Sequence, residues 1–294
     1  MSDTISVQQL RNTFEGLRVL ILGDSIMRGL YKDICCLLTD NNRLLNEDEL
    51  IYRRLNNENN NLFGDKIVSL HINRPNTTLN IEKRLLENEE FEYHVSYIFS
   101  SRVWNNQINN ILSTINTYNF IIFQSYLWHL SRYNDPNGDM YLKNLDLCLS
   151  KFKQLNKKII WVLLPPFESY KLDYINILSN KINPVILETL KKYSIDLLDL
   201  TEFKTEVNIR HKDGIHFNPY GHRCITKKLS EFMMKLKQEL STIGATTSSS
   251  SSINNLSLLQ TNSSEGFTQD NNKFNGYDNR RKFDNKQQND YNDK

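Results

Sequence analysis

The chain has 294 residues, 39% of them hydrophobic and 24% charged, with a formal net charge of +2 at neutral pH. That length holds one or two domains, and so small a charge excess excludes the strong bias of a dedicated nucleic-acid or membrane-surface binder. The four cysteines show no framework spacing and read as reduced thiols rather than as a disulfide scaffold.

The first sixteen residues are polar and read as a flexible N-terminus. Leu17 to Leu22 is an apolar run of strand length rich in branched residues, the pattern of a central parallel strand. Gly23 ends it with a tight turn, Asp24 and Ser25 are helix-capping types, and a helix is predicted over Ile26–Leu38. Strand, turn, serine and helix in that order expose a hydroxyl beside unpaired backbone N–H groups and the positive end of the helix dipole, an environment that stabilises an oxyanion. Ser25 is therefore the candidate nucleophile.

The Asn-rich insert from Asp40 to Glu92 follows, with a hairpin predicted from Lys66–Ile72 and Thr77–Ile81. Further strands are predicted at Tyr93–Phe99, Asn119–Phe123, Lys158–Leu164 and Ile195–Leu198. Helices are predicted at Trp104–Ile115, Met140–Leu155 and Leu172–Tyr193, the last kinked or divided at Pro184, and finally from Gly221 to Leu240. This alternation argues an α/β fold, a three-layer sandwich around a mainly parallel five-stranded sheet, spanning 17–240. From Ser241 to Lys294 the chain is Ser- and then Asn-rich with few aliphatic residues, the composition of a disordered tail.

A serine hydroxyl needs a histidine to take its proton and a carboxylate to hold that histidine's tautomer. Of six histidines, only His216 lies just after an aspartate in a Gly-containing loop leading into a helix, Asp213-Gly-Ile-His216. One short loop then presents both side chains on the same side, so Asp213 and His216 complete the candidate catalytic set in the chain order Ser, Asp, His. The spacing of His211, Asp213, His216 and His222 matches no zinc pattern, and no metal is expected.

These segments resemble the SGNH/GDSL hydrolase superfamily, and within it the PC-esterase domain-containing proteins. The likeness rests on Val19-Leu-Ile-Leu-Gly-Asp-Ser-Ile-Met-Arg-Gly-Leu-Tyr-Lys-Asp33, Tyr97-Ile-Phe-Ser-Ser-Arg-Val-Trp104, Phe120-Ile-Ile-Phe-Gln-Ser-Tyr-Leu-Trp-His-Leu-Ser-Arg-Tyr133 and Asp213-Gly-Ile-His-Phe-Asn-Pro-Tyr-Gly-His-Arg-Cys224. The resemblance implies Ser25 as nucleophile, His216 as general base and Asp213 as its orienting carboxylate. It also implies oxyanion donors from the Ser25 backbone, a glycine and an asparagine. No glycine lies between Gly64 and Gly138, so Arg102 stands in that region instead. Gln124 stands where the family carries Asn, and His129 where it carries Asp. Asp24, Arg102, Gln124 and His129 are accordingly the further candidates for the oxyanion hole and substrate wall.

The expected function is a serine ester hydrolase acting without a cofactor on a small-molecule or glycan-type ester, or an acyltransferase using the same residues. The alternative is a weakly active or inactive binding protein that keeps the fold while Gln124, His129 and the missing glycine degrade the oxyanion hole. The N-terminal Met1-Ser-Asp-Thr lacks an apolar leader, and the longest apolar stretch, 159–167, holds two prolines and is too short to span a bilayer. A cytoplasmic or otherwise intracellular location with no membrane partner is expected.

Overall fold

A computed structural model describes residues 5–39, 42–51, 63–71, 81–112, 114–155, 157–169, 172–206 and 208–248. The elements run α1 (Val7–Phe14), β1 (Arg18–Gly23), α2 (Ser25–Thr39), α3 (Glu47–Ile51), β2 (Lys66–His71), β3 (Ile81–Asn88), β4 (Tyr93–Phe99) and α4 (Asn106–Leu112). They continue with β5 (Phe120–Gln124), α5 (Leu127–Arg132), α6 (Asp139–Lys153), β6 (Lys158–Leu163), α7 (Asp173–Tyr193), β7 (Asp196–Asp199) and α8 (Pro219–Ser248).

The strands form one sheet in the order β2-β3-β4-β1-β5-β6-β7, with helices flanking it. Five are parallel, and all five lie where the apolar runs predict, within a residue or two at each end. The sheet has seven strands rather than five, because the insert's hairpin joins its edge, β3 pairing antiparallel with β4. The hairpin's second arm is Ile81–Asn88, well beyond the predicted 77–81; residues 72–80 lie outside the described ones. Polar Glu82 and Arg84 hid this strand from an apolar reading, yet both are buried.

The N-terminal segment is not loose as its composition suggests. Ser6 and Gln9 form a reciprocal capping box that starts α1, and Leu10 and Phe14 are fully buried. Pro184 sits inside α7 without dividing it. The final helix continues past Leu240 to Ser248, eight residues into the expected tail; residues 249–294 lie outside the described ones. No described helix is long and apolar enough to cross a membrane.

The central strands are buried on both faces: β5 is buried throughout and β1 everywhere except Arg18. The chain leaves β1 for β4 on one side and then crosses to β5 on the other, so β1 lies at the point where strand order reverses. In open α/β sheets the crevice outside the carboxyl ends of the strands at that point is where ligands bind. Ser25 and Gln124 both sit there, Gly23 and Gln124 being register partners at the ends of β1 and β5.

Candidate active site

The turn after β1 is set by Gly23. A Cβ at this position would meet the Gln124 carbonyl oxygen at 2.1 Å, and its φ of +152° disfavours other residues. The buried Tyr97 hydroxyl donates to the carbonyls of Gly23 (3.2 Å) and Asp24 (3.0 Å), clamping the turn from β4. Asp24 is fully buried, and its Oδ1 accepts the Ile26 N–H at 2.9 Å. Burial, opposed by that hydrogen bond, lifts its carboxyl to a pKa of about 6. Ser25 opens α2, where a first-turn N–H has no helical carbonyl four residues back to receive it.

Ser25 Oγ lies 2.9 Å from His216 Nε2, and His216 Nδ1 lies 2.7 Å from Asp213 Oδ2. The other carboxylate oxygen, Oδ1, accepts the backbone N–H groups of Ile215 (2.8 Å) and His216 (2.9 Å). Partial burial raises the Asp213 pKa, but the bond from His216 and the two backbone N–H groups outweigh it and hold the carboxyl well below its ordinary range. Asp213 thus stays ionised and fixes the imidazole with Nδ1–H toward itself, leaving Nε2 free to accept from the serine.

The loop carrying this pair is closed by an isolated bridge between Arg210 and Phe217 and by the bond from His211 N–H to the His216 carbonyl, 2.9 Å. Arg210 staples it to the segment after β6: its guanidinium donates to the carbonyls of Ile215 (2.8 Å), Pro165 (3.3 Å) and Pro166 (3.0 Å) and lies 4.1 Å over the Phe217 ring. Gly214, with φ +67°, passes so close to this segment that a Cβ would sit 2.7 Å from Ser169 N. Asn218 Oδ1 accepts the Gly221 N–H at 2.8 Å, starting α8 directly after the loop with Pro219 in its first turn. Beneath the site, His222 is buried against Gly29 of α2, where a Cβ would stand 2.2 Å from Nε2. Burial and then the neighbouring His216 push the His222 pKa down to about 3, so it is neutral.

A cavity of roughly 440 Å³ opens beside Ser25 and His216, walled by Trp128, Leu172, Ile215 and two arginines, Arg28 and Arg132. The remaining expected site residues lie elsewhere. Gln124 is fully buried; its amide is assigned with the nitrogen toward Asp24 Oδ1 (3.3 Å) and the oxygen toward the Tyr126 N–H (3.1 Å), the orientation that satisfies both ends, so it braces the turn from below and does not line the cavity.

His129 is also fully buried, edge-on to Tyr141 and Tyr133, with burial lowering its pKa to about 4. Its Nε2 is 3.9 Å from Asp135 Oδ2, too long for a hydrogen bond. Arg102 stacks 3.6 Å over the Tyr133 ring and is not among the described residues lining the cavity. Asp24 supports the serine turn rather than the substrate wall. Arg28, Arg132, Tyr97 and Arg210 are the site residues that sequence reasoning missed. Its place three residues after Ser25, one helical turn on, is the signal by which Arg28 could have been found.

Among the described residues no group of three or more His, Cys, Asp or Glu is placed to hold a metal ion. No family model matches the chain. It is 28% identical over 242 residues to the PC-esterase domain-containing protein 1A of Mus musculus, covering 76% of this chain and 52% of that protein. It is 29% identical over 245 residues to the PC-esterase domain-containing protein 1B of Homo sapiens, covering 76% and 54%. The chain spans about half the length of these curated relatives. Among solved structures, an acetyl esterase superposes with a TM-score of 0.46 at 15% identity, over 76% of this chain and 99% of that one. A carbohydrate esterase family 3 protein from Talaromyces cellulolyticus gives 0.46 at 16%, over 76% and 99%. In sequence the chain is similar to the PC-esterase domain-containing proteins, the family that its Gly23-Asp24-Ser25 and Asp213-Gly214-Ile215-His216 segments resemble.

Proposed function

We propose that this protein is a serine ester hydrolase. The observation that carries the reading is the unbroken relay from Ser25 Oγ through His216 to Asp213, with donor–acceptor distances of 2.9 and 2.7 Å at the mouth of a cavity. Two short, correctly ordered bonds are the arrangement that makes a hydroxyl nucleophilic at neutral pH. The relatives named as PC-esterases support the same class of chemistry.

Ser25 Oγ attacks the acyl carbonyl carbon while His216 Nε2 takes its proton. The developing oxyanion is held by the Ser25 N–H and the dipole of α2. Collapse breaks the ester C–O bond, the leaving alkoxide takes the proton from His216, and the acyl group remains on Ser25. His216 then deprotonates a water that attacks the acyl-enzyme, releasing the acid and restoring the serine; a second alcohol in place of water makes the protein an acyltransferase. The substrate class in this reading is a small-molecule or glycan-type ester in an intracellular setting, and the relay calls on side chains and backbone alone.

Hydrolysis of 4-nitrophenyl acetate tests the reading. Slow but measurable turnover is expected, and Ser25→Ala should lower it by about 10⁴-fold or more, as for a set of residues acting as a unit. Turnover equal to that of the Ser25→Ala protein across a panel of esters would overturn it. The second reading, a binding protein with an idle relay, is favoured by one observation: the Gln124 amide is committed to Asp24 and Tyr126, so no side-chain amide from β5 reaches the cavity.

A further inference from the structure

The wall of the Ser25 cavity has a one-sided charge. Arg28 and Arg132 line it, and no carboxylate does so among the described residues. Arg28 stands one helical turn beyond Ser25, so its side chain rises on the same face of α2 as the serine hydroxyl. It is 7% exposed, and its Nε–H is buried without a hydrogen-bond partner among the described residues. A buried guanidinium N–H left unpaired costs more than a neutral one, which makes it a donor in need of an acceptor.

Among the described residues one carboxylate is bonded to Arg28, and it is shared. Glu82 Oε2 is 3.2 Å from Arg28 Nη1 while Glu82 Oε1 takes the shorter bond, 2.7 Å, from Arg84 Nε. Asp65 accepts from Arg84 as well, at 3.2 Å. Arg28, Glu82, Arg84 and Asp65 thus form one buried ion-paired group. That group meets the cavity at Arg28. On the same cavity's wall, the Arg132 guanidinium is held 4.4 Å over the Trp128 ring, and Trp128 packs edge-on against Phe99. Among the described residues Arg132 has no carboxylate partner. Two guanidiniums lining one cavity, one in a buried ion pair and one stacked on an indole, offer donors for an anion.

We propose that the cavity selects an anionic ester, one bearing a carboxylate or phosphate group a few bonds from the ester carbonyl, with Arg28 and Arg132 holding that group while the carbonyl meets Ser25. The proposal rests on the hydrolase reading for the identity of the ester, but its anion site is testable without turnover.

The test uses the Ser25→Ala full-length protein, titrated calorimetrically with glutarate, inorganic phosphate and neutral pentanamide. At least one anion is expected to bind ten-fold or more tightly than pentanamide, weakening about ten-fold when Arg132→Gln is added and again with Arg28→Gln. Arg132 is exposed, so its replacement leaves folding intact. Preference for glutarate assigns a carboxylate ester, and preference for phosphate a phosphate-bearing one. Anion affinity no better than that for pentanamide, or unchanged to within two-fold in Arg132→Gln, would overturn the proposal. Arginine-dependent anion binding combined with no hydrolysis of any ester by the unmutated protein would sink the hydrolase reading and leave the anion site standing.

Discussion

Ser25 and His216 are 191 residues apart in the chain, yet Oγ and Nε2 meet at 2.9 Å. Neither residue reaches the other by chance of surface. Ser25 is fixed by a turn that admits only glycine at position 23, and His216 by a loop that Arg210 ties to the carbonyls of Pro165 and Pro166. The relationship between them is thus carried by the backbone at both ends, and the expected effects of mutation follow from what holds each end.

Arg210 is a positioning residue. Replacing it with Ala removes three hydrogen bonds to carbonyls and the stacking on Phe217, and frees the His216 loop. Ester hydrolysis is expected to fall about 10–100-fold in kcat with little change in KM, since a misplacement near 1 Å costs about that much. Arg210→Lys, which keeps the charge but not the fork, should recover only part of it. A KM effect with unchanged kcat would mean that Arg210 touches substrate instead.

Gln124→Asn separates bracing from catalysis. The shorter amide cannot reach both Asp24 and the Tyr126 N–H, so the protein is expected to lose about 1–2 kcal/mol of stability and its hydrolytic rate should not rise. Chemical denaturation and an aryl-ester assay on the same sample measure both. A gain approaching the roughly 10²–10³ that one oxyanion donor is worth would show that the side chain belongs to the oxyanion hole after all.

His222 makes stability depend on pH. Its folded pKa, about 3, lies below the ordinary 6.5, so as pH falls the unfolded chain takes the proton first. Its contribution is therefore complete above about 6.5 and is lost progressively as the pH drops toward 3. Asp24 acts in the opposite sense, its raised pKa of about 6 weakening the fold as pH climbs from about 4 through 6. His222→Phe keeps a ring against Gly29 and removes one titration while leaving Asp24 in place. The fall in Tm between pH 7 and 4 should be smaller in this variant than in the unmutated protein, and equal falls in the two would contradict the assignment.

Much of this arrangement was legible in the residues. Four of the five parallel strands, β1, β4, β5 and β6, announced themselves as apolar runs because nearly every residue in them is buried or half-buried, and Gly23, Asp213 and Gly214 carried their own turn chemistry. The second arm of the hairpin did not, because Glu82 and Arg84 of β3 are buried as an ion-paired group with Arg28 and Asp65 rather than as apolar surface. Helix α1 was hidden by its polar composition, although Ser6 and Gln9 spell a capping box. At the site, residue type was read correctly at Gln124 as an amide, but where an amide points depends on one methylene and on a buried carboxylate that only the folded chain brings within reach.

The most direct measurement is labelling of the full-length protein with a fluorophosphonate probe, followed by peptide mass spectrometry. Phosphonylation requires an activated serine, not merely an exposed one. The expected result is a single adduct on Ser25, absent in Ser25→Ala and strongly slowed in His216→Ala. Failure of the unmutated protein to react, or an adduct on another serine that persists in Ser25→Ala, would contradict the account.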